Sequence, residues 1–341
     1  MEQQIFKQSV GLDISKDTFV ACFSQRQAGK SFHILSTRTF KCTNGAFEQF
    51  HKWVQSQRYA SSPLQLLMEA TGVYYEELAY FLHAKGYPLT VLLPNKTAAF
   101  ARSLSYKSKT DSIDAKMLAQ MSIERDLPRW VPLSEGMLTI KHLCRERAEI
   151  VDTQVVFKNR LHAKKHAYHS LKSSLQRTNK AQALLKKQIS DIEIALLKAV
   201  NEDEILRQKV QNACSIPGVG FITVANILAE TNAFALFKNK AQLVSYAGYD
   251  VVQNTSGTSL DSPTKISKKG NHRIRKALHF PALVAVKSDP NMKSLFNRAF
   301  DKTKIKMKAY VAIQRKLLVL IYATFKSNQP YDLNHVSIKA N

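Results

Sequence analysis

Acidic side chains are scarce in this chain: 26 Asp and Glu stand against 50 Lys and Arg over 341 residues, a formal net charge of +24. The excess runs along the whole sequence, which argues against a basic partner and points to neutralisation of a polyanion, with nucleic acid ahead of a membrane surface. No apolar run approaches the roughly 20 residues that span a bilayer, so no membrane partner is expected. Cysteine is sparse as well. Cys22, Cys42, Cys144 and Cys214 are scattered with no pair at metal-ligand spacing, which argues against a zinc site and suits a reducing compartment. The opening Met1-Glu2-Gln3-Gln4 lacks a signal-peptide pattern, and the expected location is cytoplasmic, associated with the nucleoid. Glycine and proline almost vanish between Ser134 and about Gln211, which excludes a loop-rich segment there and predicts helix.

The stretch Lys107 to Lys116 places Asp111 and Asp114 three residues apart, ahead of the helix-forming run Ala115 to Met121. Both acids therefore share one face of a first helical turn. Such a pair can hold a hard divalent cation, or Thr110 or Asp111 can cap the helix while Asp114 answers its macrodipole. Further carboxylates decide between these. Ser9 to Phe23 reads as a strand, a tight turn holding Asp17, and a second strand. Asp13 interrupts the first strand, and an acid there is costly unless paired or coordinated. A further strand is expected near Arg38 to Lys41 and a helix from Gly45 to Gln57. The apolar strand Leu64 to Glu69 ends on a carboxylate, where α/β layers place their sites. A helix from Tyr74 to Lys85, a strand from Leu89 and a basic helical segment with Lys96 and Arg102 lead back to Asp111. This order resembles a ribonuclease-H-like domain. Four carboxylates gathered there would repel without a cation, and the donors suit Mg²⁺.

Leu185, Ile189, Ile192, Leu196 and Ala199 step by three and four, a short coiled-coil seam. Arg145, Arg147, Lys158, Arg160, Lys164 and Lys165 mark the other surface, either a solvated face or a scaffold for dimerisation and a nucleic-acid backbone. Ser215 to Leu228 has the pattern of a helix-hairpin-helix turn, in which Gly218 and Gly220 allow close backbone approach and the helix from about Phe221 points amides at a phosphate; a plain helix-loop-helix is the alternative. Tyr246 to Ser259 reads as a hydroxyl-rich loop in which Ser256 precedes Gly257, followed by a dense basic helix start with Lys265, Lys268, Lys269, Arg273, Arg275 and Lys276 able to hold a phosphate.

Gly11-Leu12-Asp13-Ile14-Ser15-Lys16, Met68-Glu69-Ala70-Thr71-Gly72, Lys109 to Ala115, Ile216 to Gly220, Tyr246-Ala247-Gly248, Ser256-Gly257 and Ile266 to Asn271 occur in one order. That ordered set resembles the DEDD-type insertion-sequence transposase family, which includes the Piv DNA invertases and the bridge-RNA-guided recombinases. The resemblance implies α/β plus α architecture. It comprises an N-terminal ribonuclease-H-like (RuvC-like) domain over 1–133, a helical coiled-coil linker over 134–211, and a mainly helical C-terminal transposase domain with a helix-hairpin-helix-like motif over 212–341. It implies a Mg²⁺-binding tetrad of Asp13, Glu69, Asp111 and Asp114, with Ser256 as a nucleophile that forms a phosphoserine link to DNA. Where relatives often carry Gly-Leu-x-Pro, this chain has Gly248-Tyr249-Asp250-Val251, and Ser259 is the alternative nucleophile. Donor and target DNA, a structured guide RNA and further copies of the chain in a dimer or tetramer are the implied partners. A hydrolytic RuvC-like junction nuclease and a non-catalytic nucleic-acid-binding protein are the competing readings.

Overall fold

The computed structural model describes residues 5–27, 30–104, 108, 110–235, 237–256 and 260–333. Lys107, Lys109, Gly257 and Ser259 therefore lie outside the described residues. The chain divides into two compact units, Met1–Pro132 and Leu133–Asn341.

In the first unit, β1 (Ile5–Ile14), β2 (Thr18–Gln27) and β3 (Lys30–Lys41) form an antiparallel meander, followed by α1 (Asn44–Gln57). Then come β4 (Leu64–Glu69), α2 (Glu76–Ala84), β5 (Leu89–Leu92), α3 (Pro94–Ala101) and α4 (Asp111–Glu124). β4 and β5 join in parallel, giving the sheet order β3-β2-β1-β4-β5. This is the mixed sheet expected of a ribonuclease-H-like domain. Alternation along the strands gives each face its own core. Val10, Leu12, Leu66 and Met68 meet Phe47, Phe50 and Val54 of α1 and Leu78 and Leu82 of α2. On the opposite face Leu67 meets Phe100 of α3 and Met117, Leu118 and Met121 of α4. Burying each such side chain contributes about 1.5 to 3 kcal/mol. β3 begins earlier than the strand expected near Arg38. It is an edge strand with mostly exposed side chains, so its extent comes from pairing with β2 and not from an apolar pattern.

The second unit opens with the long helices α5 (Glu135–Lys165) and α6 (Lys172–Asn201), which pack as an antiparallel pair. The Arg147–Glu193 ion pair at 2.7 Å and the hydrogen bond from Lys164 Nζ to Thr178 Oγ1 at 2.8 Å tie them. Within the predicted seam, Ile192 and Leu196 are buried and Leu185, Ile189 and Ala199 half-buried. The chain continues through α7 (Glu204–Cys214), α8 (Phe221–Thr231) and α9 (Lys240–Tyr246) to the hairpin β6 (Val251–Ser256) and β7 (Leu260–Ile266). It ends with α10 (His272–Ala277), α11 (His279–Ser288), α12 (Pro290–Thr303) and α13 (Lys306–Ser327). Met137 and Ile140 of α5 and Leu196 and Val200 of α6 share one core with α7, α8, α9, α11 and α13. The expected loop from Tyr246 to Ser259 is thus partly strand. Val251 pairs with Ile266 and Ser256 with Leu260, and this cross-strand pairing overrides the loop-like Asn, Thr and Ser composition.

Candidate active site

Gly11 fixes where α4 sits. A Cβ built on it would lie 2.1 Å from the Ala115 carbonyl oxygen and 2.3 Å from the Ala119 amide nitrogen, so helix backbone rests directly on strand backbone. Two residues before this face reaches Gly11 lies Ser9, and before that Lys7, whose Nζ donates to the carbonyls of Ser122 and Arg125 at the far end of α4. The helix therefore runs antiparallel to β1, bringing its first turn towards Asp13, two residues beyond Gly11 on the same face. Leu12 pairs with Met68 in parallel, which makes Glu69 the next position on the neighbouring strand. Glu69 shares the face of Leu67, again the α4 face.

Asp13 and Glu69 thus lie at one end of one sheet face, and Asp111 and Asp114 in the first turn of the helix that packs on that face. Thr110 caps α4, its Oγ1 accepting from the Ile113 amide at 3.3 Å. Asp111 is left exposed and Asp114 half-buried in the first turn. Asp13 and Glu69 are half-buried. The Glu69 carboxylate accepts from the fully buried Thr97 hydroxyl at 2.5 Å and from Thr71 at 3.4 Å. Thr97 was not anticipated; its only sequence signal is a hydroxyl inside the helical segment after β5. Among the described residues no three acidic, His or Cys side chains draw together tightly enough to hold an ion. The four carboxylates offer the hard oxygen donors that a hard divalent cation prefers, and Glu69 is held by two hydroxyls, but as placed they do not form a coordinating cluster.

Ser256 is the last residue of β6. The base of its hairpin is built from the glycine motifs on either side. A Cβ on Gly270 would meet the Gly248 nitrogen and the Tyr246 carbonyl at 2.5 Å, and Gly248 takes a φ of +75° that favours glycine. Asn271 donates its amide to the Tyr246 carbonyl at 2.8 Å, caps α10 by accepting from the Arg273 and Ile274 amides, and donates Nδ2 to Glu230 Oε2 at 2.7 Å. The departure at Tyr249 has a partner: its buried hydroxyl donates to Gln314 Oε1 of α13 at 3.0 Å.

Glu230, buried in α8, joins this base to the long helix. Arg145 of α5 forks onto it at 3.1 and 3.3 Å, and Arg273 stands at 3.9 Å. Burial pushes its carboxyl up, but the Arg145 and Asn271 hydrogen bonds outweigh this and hold it below the usual carboxylate range. The signal for Glu230 was there: one acid in the apolar run Ile227-Leu228-Ala229, near a helix C-terminus that disfavours it. A depressed folded pKa stabilises above the unfolded value of about 4.3 and loses that contribution as pH falls through the folded value. Glu230→Gln is therefore expected to cost about 1 to 3 kcal/mol at neutral pH in denaturant titrations. The gap from wild type should shrink as the buffer is taken below about pH 4.3; a gap unchanged by pH would contradict this.

Other predicted contacts divide. A Cβ on Gly218 would meet the Ala285 nitrogen and the Pro281 carbonyl at 2.8 Å, so the close approach there is made by α11 and not left open for a phosphate. Gly220 is exposed, faces open space and precedes α8 with no side-chain cap. Of the six downstream cations, Arg275 donates to the Ala247 carbonyl at 2.7 Å, Arg273 lies beside Glu230 and Lys276 pairs with Asp152 at 2.5 Å. Lys265, Lys268 and Lys269 are exposed, and they belong to β7 and the following turn, not to a helix start. Arg145 and Arg147, expected on a basic surface, are likewise spent on Glu230 and Glu193. Thiol chemistry is disfavoured: burial raises the Cys22 and Cys214 thiols and pushes Cys144 up to about 12.

Comparison with known proteins places these features in a family. Residues 10–169 match a family model described as a transposase of the DEDD IS110 type, and residues 210–297 match one described as the transposase IS116/IS110/IS902 family. The pilin gene-inverting protein of Moraxella bovis is 28% identical over 327 residues, covering 96% of this chain and 98% of that protein. A transposase for insertion sequence element IS1111A from Coxiella burnetii is 32% identical over 40% of this chain and 37% of its own length. Among solved structures, T. thermophilus RuvC in complex with a Holliday junction substrate covers 34% of this chain and 93% of that one, at 12% identity and a TM-score of 0.25. No described helix is long and apolar enough to cross a membrane. The two family models in succession and relatives alike along nearly their whole length establish that the chain belongs to the DEDD-type insertion-sequence transposase family that includes the pilin gene-inverting proteins, a family of DNA-recombining enzymes.

Proposed function

We propose that this chain cuts and rejoins DNA strands with Asp13, Glu69, Asp111 and Asp114 as a cation-binding tetrad and Ser256 as the nucleophile. The observation that supports the reading is the Gly11-limited seating of α4, whose first turn carries Asp111 and Asp114, on the sheet face that bears Asp13 and Glu69. A bound divalent cation, taken as Mg²⁺, supplies neutralisation of the charge that develops on a scissile phosphate. Thr97 and Thr71 hold the Glu69 carboxylate, so its oxygens keep their aim without that charge having to organise them. Asp111 and Asp114 stand in the first turn as paired donors, because Thr110 relieves them of capping.

A serine hydroxyl needs activation at neutral pH. Attack by Ser256 Oγ forms an oxygen–phosphorus bond as the bond to the departing strand oxygen breaks. The hydroxyl proton passes to a base and the departing oxygen gains one. One phosphoester replaces another, so the strand can be resealed to a new end without ATP. The tetrad and the serine lie in separate compact units, and supplying them from different copies of the chain would tie cleavage to assembly, with α5 and α6 as the coiled-coil scaffold. Gly220 with Phe221 and the exposed Lys265, Lys268 and Lys269 would contact phosphate backbone. Donor and target sequence would be read through a structured guide RNA, leaving shape and backbone to the protein; work on DNA suits a cytoplasmic, nucleoid-associated protein.

The test is chemical mapping. Wild-type protein incubated with donor and target DNA, its guide RNA and Mg²⁺ is expected to yield a covalent adduct whose phosphopeptide places the phosphate on residue 256, and EDTA is expected to remove the adduct. Phosphate on residue 259 would move the nucleophile. Nicked DNA with free ends and no adduct would replace the recombinase with the hydrolytic nuclease.

A further inference from the structure

We propose that the corner between α12 and α13 is a binding site for the phosphate backbone of duplex DNA. Arg298, Lys302, Lys304, Lys306 and Lys308 crowd into eleven residues with one carboxylate, Asp301. The first four are exposed and Lys308 is half-buried. Among the described residues only Lys304 has an acidic partner, Asp301 Oδ1 at 3.2 Å. Both family models end before this corner, the second at residue 297.

The corner is built against its own local preferences. Lys304 adopts a φ of +54° at the C-cap of α12, a position that glycine fills without strain. α13 then starts with Lys306 and Lys308 in its first turn, no acid among them, and Ile305 as an N-cap that accepts nothing with its side chain. Cations there oppose the helix macrodipole and one another. The neighbouring α12 follows the opposite rule, with Asp289 capping the Asn291 and Met292 amides. The backbone is nonetheless held firmly. Phe296 stacks on Phe300 with ring centroids 6.2 Å apart and packs at a tilt against Tyr310 at 4.6 Å, and the Lys304 amide donates to the Phe300 carbonyl at 2.6 Å. A self-repelling set of cations carried on a firmly held backbone is relieved by a polyanion laid across it. An anionic membrane fits less well, since Ile313, Leu317, Leu318 and Ile321 of α13 are fully buried in the core and only Ile305 and Met307 would be left to insert.

This rests on the recombinase reading only in taking DNA as the ligand. The test compares the full chain with its Lys302→Gln/Lys306→Gln/Lys308→Gln variant in binding a random-sequence duplex across a salt series, with melting curves checking that the substitutions, one of them at the half-buried Lys308, leave the fold intact. Each phosphate contact contributes about 0.9 to the log–log salt slope, roughly 5-fold in affinity at 0.15 M salt. The variant is expected to lose about 2 to 3 of the slope and on the order of 100-fold in affinity, and the matching triple Lys→Arg variant to retain both. Wild-type slope and affinity in the Gln variant would overturn the site while leaving the recombinase reading standing. A loss seen only with single-stranded RNA, or only with phosphatidylserine vesicles, would overturn DNA as the ligand. Wild-type protein that binds no duplex would remove both this site and the reading it rests on.

Discussion

Ser256→Ala is expected to abolish the covalent protein–DNA adduct and to lower strand exchange by roughly 10⁴-fold or more, because loss of an attacking group leaves only binding and electrostatic stabilisation. The change removes one oxygen from the end of β6, in a segment whose backbone pairing with Leu260 stays available to alanine. DNA and RNA affinity should therefore match wild type in equilibrium titrations. The informative comparison is Ser259→Ala in the same assay, which should retain the adduct. If Ser256→Ala forms adduct at the wild-type rate, the nucleophile lies elsewhere.

Gly11→Ala is expected to cost about 3 kcal/mol or more, or roughly 10 °C in the melting of the first unit. The added methyl would meet the Ala115 oxygen and the Ala119 nitrogen, both backbone atoms that cannot swing aside as a side chain could. Either α4 lifts as a whole or the strand bends. Both displace Asp111 and Asp114 from Asp13 and Glu69, so cleavage should fall in the protein that remains folded. Gly45→Ala is the matched control. Gly45 lies within α1 with nothing near its absent Cβ, and alanine there should be neutral or stabilising by a few tenths to about 1 kcal/mol. Equal melting temperatures for Gly11→Ala and wild type would refute the close seating of the helix.

The first unit was legible because its chemistry is written locally. Strand alternation around Val10 and Leu12, the apolar run ending at Glu69 and the capping signal at Thr110 each report on a few neighbouring residues, and these elements formed as expected. The sequence also set Asp13 on the first strand, Glu69 at the end of β4 and Asp111 and Asp114 at the start of α4. It did not carry their support, because Thr97 meets Glu69 across 28 residues and nothing in the run Asn95-Lys96-Thr97 distinguishes a buried hydroxyl from a helical filler. The second unit was legible in its helices and not in its polar wiring. Arg145, Arg147, Arg273, Arg275 and Lys276 read as surface charge, yet each is committed to a carboxylate or carbonyl brought from elsewhere in the chain. Composition counts charges; partners at a distance of 28 to 124 residues decide which of them face a ligand. The β6–β7 hairpin escaped for a related reason, its strands being specified by each other and not by β-propensity.

The antiparallel run of α4 along β1, pinned at Lys7 on one end and pressed onto Gly11 in the middle, makes the helix a ruler for the acids at its start. One residue inserted between Asp114 and Ala115 would advance the acidic turn by about 1.5 Å and rotate it by about 100°, turning both carboxylates off the sheet while cap, core and composition stayed nearly the same. Length drift in this lineage should consequently collect before Thr110 or after Arg125, and the fourteen residues of α4 should keep their spacing even where their identities change.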